Sequence, residues 1–77
     1  MSITETIREN WQDINTVKRL RGCILHAARR LTTLGYQELA EDWKARIANC
    51  PNKMDKEAIN TVLYSACFEL DRHGIND

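Results

Sequence analysis

Residues that break helices are scarce in this chain. Gly22, Gly35 and Gly74 are its only glycines and Pro51 its only proline. The closely spaced glycine and proline turns that separate the strands of sandwiches and barrels are therefore missing. Apolar–polar alternation is missing too, and β-branched residues nowhere gather into runs of four to eight. Cys23, Cys50 and Cys67 are odd in number and stand singly, which excludes a complete disulfide framework. No apolar run approaches the roughly 20 residues that span a bilayer. Residues 1–5 lack the basic and apolar regions of a secretory signal. A cytoplasmic protein with reduced thiols and no membrane partner is expected.

Net charge is absent as well: 11 Lys and Arg residues balance 11 Asp and Glu residues. A domain that binds polyanions through charge alone would be clearly basic. The signs are nevertheless unevenly placed. Residues 15–34 carry Lys18, Arg19, Arg21, Arg29 and Arg30 with no acid, and the segments on either side are net acidic. This asymmetry is the most informative charge feature of the chain.

The signatures of chemistry are wanting. There is no P-loop, dinucleotide fingerprint or HExxH pair. Cys23 and His26 lie one helical turn apart, but Cys50, Cys67 and His73 are isolated, whereas structural zinc sites use paired ligands on tight turns. All three cysteines fall on or beside apolar faces, where the thiol acts as a small hydrophobe. Nucleophilic catalysis needs a nucleophile, a base and a group that orients the base, and no such set is present. Glu41 and Asp42 diverge on their helix, so they cannot share a proton. No metal, cofactor or catalytic residue is assigned, and a non-enzymatic protein is expected.

What the chain does have is helical spacing almost throughout. Ser2-Ile3-Thr4-Glu5 matches a capping box and opens a stripe of Ile3, Ile7, Trp11 and Ile14. From Val17 a second stripe runs Val17, Leu20, Ile24, Ala27, Leu31, Leu34. It is rotated from the first, so a break or bend near residues 13–16 is predicted, with Asn15 as the new N-cap. One long bent helix is the alternative. Gly35 suits a left-handed helix end. Tyr36, Leu39, Ala40, Trp43, Ile47 and Cys50 then share a face, with Asp42 and Arg46 spaced for an i,i+4 pair. Pro51 stops that helix. Asn52 or Asp55 caps a last one, which runs to Arg72 or His73 before Gly74.

The prediction is all-α: a compact bundle of four short helices near 2–14, 15–34, 36–50 and 54–73, in one domain of residues 1–77. Trp11 and Trp43 are predicted core residues.

Two surface features are left over. Lys18, Arg19, His26, Arg29 and Arg30 gather opposite the buried stripe of their helix. Arg19, His26 and Arg30 form a ridge, and Gly22 leaves a notch beside it. Arg21 joins the same basic segment. On the last helix Ile59, Val62, Leu63, Ala66 and Leu70 face inward, and Tyr64 and Phe68 project from nearly the opposite side. Either set can be spent inside the molecule, the cations on neighbouring acids and the rings under the first helix. Otherwise they are binding surfaces.

The expected function is a protein–protein interaction module: an adaptor, inhibitor or regulatory subunit of a larger protein. Its partner-binding residues would be Lys18, Arg19, Arg21, His26, Arg29, Arg30, Tyr64 and Phe68, against an acidic or aromatic-accepting surface. Nucleic-acid binding by helix 15–34 is one alternative. A structural homodimer with Tyr64 and Phe68 paired across a two-fold axis is another.

Overall fold

Caps and buried stripes divide the chain into four helices. In the computed structural model, which describes residues 2–75, these are α1 (Ile3–Asn10), α2 (Val17–Thr33), α3 (Gln37–Ala48) and α4 (Lys56–Arg72). There is no strand among the described residues. The all-α bundle is as expected, with each helix shorter than its sequence pattern because turns and caps take the ends.

Ser2 caps α1, its Oγ accepting the Glu5 backbone N–H at 3.0 Å. The helix stops at Asn10 and a turn follows, so α1 and α2 are two helices, not one bent helix. Thr16, rather than Asn15, caps α2: its Oγ1 accepts the Arg19 N–H, three residues on, at 3.2 Å. The connection is braced from outside. Lys56 Nζ donates to the carbonyls of Trp11 (3.2 Å) and Ile14 (2.6 Å), and Arg19 Nη1 donates to that of Asp13 (2.9 Å). These bonds satisfy carbonyls of the α1–α2 connection, which lies outside both helices.

Gly35 and Gly74 have φ of +95° and +67° and terminate α2 and α4 in the same way. At the first, Tyr36 N–H reaches Leu31 O and Gly35 N–H reaches Thr32 O; at the second, Ile75 reaches Leu70 and Gly74 reaches Asp71. This double bond pattern requires left-handed backbone at the glycine. The second motif folds Ile75 back until it is 4% exposed, adding a core residue that the helical stripes do not contain. Asp55, and not Asn52, caps α4, with Oδ1 2.7 Å from the Ala58 N–H.

The core is one cluster with Leu20, Ile24, Leu31, Trp43, Ile47, Ile59, Leu63 and Leu70 at its centre. Both inward stripes of α2 and α4 are buried as predicted, except that Leu34 and Val62 lie at the margin. Leu34 is the C-cap residue of α2 and Tyr36 the N-cap residue of α3; both stand at helix ends beside the Gly35 turn and are exposed. Ala28 is fully buried on α2, the helix that packs most extensively against α3. The radius of gyration is 11.5 Å, the value expected of a compact globule of this length. Among the described residues no helix is long and apolar enough to cross a membrane.

Candidate functional site

The ring-bearing face of α4 follows from the arithmetic of its core face. Ile59, Leu63, Ala66 and Leu70 point into the bundle and are at most 6% exposed. At 100° per residue, Thr61, Tyr64 and Phe68 come round to the opposite side. Tyr64 is 71% exposed and Phe68 66%. The first helix does not cover them. Trp11, just past the end of α1, meets Tyr64 edge to face, with ring centroids 5.1 Å apart and planes at 86°. Trp11 is therefore half-buried, at the margin of the core rather than within it, and forms one flank of the ring surface. Trp11 is the C-cap residue of α1, and its place at the edge of the stripe, next to the break, is consistent with its partial exposure.

On the other flank lie Arg46 of α3 and Ser65, Glu69 and Arg72 of α4, around a shallow depression that reaches Phe68. Glu69 is the organising residue here. It accepts from Trp43 Nε1 through one carboxylate oxygen and from Arg46 through the other. Arg46 also holds Asp42 at 2.8 Å, the i,i+4 pair expected from the sequence. The bond to Glu69 is the main reason the Arg46 guanidinium holds its proton more tightly than usual, its partial burial opposing and both carboxylate charges assisting. Trp43 is a core residue, as predicted, 3% exposed with its indole N–H satisfied. Glu69 went unpredicted; its position three residues beyond Ala66 and seven beyond Val62, beside the inward stripe, was the available signal.

The basic residues separate into two groups. Arg21 is a brace. It is half-buried, and its Nη2 donates to Cys50 O at 2.7 Å and to Asn52 Oδ1 at 3.2 Å, tying α2 to the α3–α4 connection. Its guanidinium is thus engaged within the fold, unlike a cation that only faces solvent. Lys18, Arg19, His26, Arg29 and Arg30 are exposed. His26 stands where two depressions meet along the α1–α2 seam. One, of about 420 Å³, takes Arg29, Arg30 and Thr33; the other, of about 430 Å³, takes Arg19, Gly22 and Cys23. Thr6 lines both from α1. The notch at Gly22 is real: a Cβ there would meet nothing within 4 Å. Asp13 closes one end of the seam, so the trough is basic over most of its length and acidic at one tip.

Cys23 and Cys67 are half-buried free thiols with pKa values pushed up. Burial is the main cause for each; Cys67 adds to it at Cys23, while Arg8 opposes it and Asp71 assists it at Cys67. Both therefore stay protonated and poorly nucleophilic at neutral pH. Among the described residues no three His, Cys, Asp or Glu side chains come together as a metal-binding group. No family model matches the chain, and neither a curated protein nor a solved structure was found to match it.

Proposed function

We propose that this protein is a small non-enzymatic interaction module that acts on a larger protein as an adaptor, inhibitor or regulatory subunit. The observation that carries the reading is the pair Tyr64 and Phe68, one turn apart and 71% and 66% exposed, on a helix whose opposite side already completes the core. Large rings held on a rigid helix lose little freedom on binding and are favoured anchors at contact hot spots. Leaving two large rings mostly in water forgoes the stabilisation that burying them would give.

The α1–α2 trough is the second surface. Arg19, His26, Arg29 and Arg30 line it and Lys18 stands exposed on the same helix, a disposition suited to carboxylates of an acidic protein segment. Charge there speeds encounter and selects the partner, and the rings supply desolvated contact area.

The test is affinity capture from the native cell with three chains: wild type, Tyr64→Ala/Phe68→Ala, and Lys18→Glu/Arg29→Glu. Circular dichroism first establishes that the variants stay helical. Loss of the captured protein from either variant supports the assignment. An unchanged set of captured proteins with both variants rejects it.

A further inference from the structure

The exposed stripe of α4 has a charge order that determines what can lie against it. Along the side opposite the core, the helix presents Glu57, Thr61, Tyr64, Ser65, Phe68 and Arg72, all exposed. Glu57 is in the first turn and Arg72 in the last; the residues between them on the stripe are uncharged, and a second acid, the exposed Asp71, borders the stripe on the Tyr64 side next to Arg72. Neither the Glu57 carboxylate nor the Arg72 guanidinium has an ion-pair or hydrogen-bond partner among the described residues. Asp71 also acts on Cys67, and its neighbour Arg72 is the nearer of the two to the centre of the stripe.

Such a stripe is complementary to itself in one direction only. Laid antiparallel about a two-fold axis at position 66, it brings Tyr64 of one copy against Phe68 of the other, twice. The same register leaves Glu57 within three residues, or about 4.5 Å along the axis, of Arg72 in the second copy, a gap these long side chains bridge. A parallel arrangement would stack Glu57 on Glu57 and Arg72 on Arg72. The 17 residues of α4 give a contact about 25 Å long. Four rings, largely exposed, supply on the order of 500 Å² toward the roughly 1,200 Å² at which stable interfaces begin. The flanking Thr61, Ser65, Glu57, Arg72 and the Trp11 edge are placed to supply the rest. A second copy also answers the weakness of a core built from 77 residues.

We infer that, until the larger protein displaces it, the ring-bearing face of α4 binds a second copy of this chain in an antiparallel, two-fold α4–α4 contact, which leaves one basic trough on each copy open for the first encounter. This rests on the reading of that face as a binding surface. Sedimentation equilibrium on the full chain tests it, together with Glu57→Arg and Arg72→Glu, two exposed substitutions whose folding is monitored by circular dichroism. The wild-type mass should rise from 8.9 kDa toward twice that between about 1 µM and 1 mM. Each charge variant alone should remain monomeric, because like charges then meet at both ends, and an equimolar mixture of the two should recover the dimer. A wild-type chain that is monomeric throughout overturns the inference, as does a dimer that persists in each variant alone. A monomeric wild type whose captured protein is nevertheless lost with Tyr64→Ala/Phe68→Ala overturns only the self-pairing and leaves the proposed function standing.

Discussion

Replacing Arg21 with methionine separates the residues that hold the fold from those that decorate it. Methionine keeps the aliphatic stem packed and removes the guanidinium. The lost bond from Nη2 to the Cys50 carbonyl is part-buried, and hydrogen bonds from charged groups contribute about 1.5–3 kcal/mol in such settings. The second bond, to Asn52, is exposed and adds little. Against this, Arg21 Nε is buried with no partner, and its removal returns up to about 1 kcal/mol. The net expectation is a loss of about 1–2 kcal/mol. For a domain of this size that lowers the melting temperature by about 4–16 °C. Thermal unfolding followed at 222 nm measures it directly. Arg29→Met is the control, since Arg29 is an exposed cation of the same helix, and a surface change of that kind should stay within about 0.5 kcal/mol. Equal melting temperatures for the two variants would refute the assignment of Arg21 as a brace between α2 and the α3–α4 connection.

Two other outcomes are expected. Gly22→Ala should raise stability by about 0.8–1 kcal/mol, because the site is mid-helix and the new methyl meets nothing; urea unfolding checks this, and a destabilised variant would mean that the notch is already filled in the folded chain. The thiols of Cys23 and Cys67 hold their protons more tightly in the folded chain than the ordinary value of 9.0. The stability they contribute is therefore complete below pH 9.0 and is lost as pH rises through their higher folded values. Unfolding measured from pH 8 upward should show a decline that Cys23→Ala/Cys67→Ala flattens relative to the wild type, and identical slopes would contradict it.

Most of the fold was legible because its determinants are local. Ser2, Gly35, Asp55 and Gly74 mark helix ends through bonds to neighbours a few residues away, Pro51 does so by lacking an N–H and crowding the residue before it, and the stripes of α2 and α4 follow from spacing. The errors fall at helix ends, where the stripe runs past the neighbours that would cover it. Leu34 and Tyr36 were read as extending their stripes, yet each is a cap residue and turns outward. Ile75 was invisible because its burial depends on the left-handed turn at Gly74, not on periodicity.

The surfaces were harder to read, since exposure depends on what other helices cover. Tyr64 and Phe68 were recognised as opposite the core, but only the position of α1 decides that they remain open. Arg21 looks like its basic neighbours in sequence. Its distinction comes from Cys50 and Asn52, about 30 positions away along the chain, a separation over which spacing carries no information. Glu69 was missed for the same reason: its partners Trp43 and Arg46 are on another helix.

The most direct measurement is the unfolding free energy of Tyr64→Ala/Phe68→Ala against wild type in dilute solution. If both rings are surplus to the fold, the loss is confined to the Trp11–Tyr64 contact, at most about 1.5 kcal/mol. A loss of about 3–5 kcal/mol, the cost of truncating an aromatic residue in a core, would mean that the rings are structural and that α4 has no free face to offer.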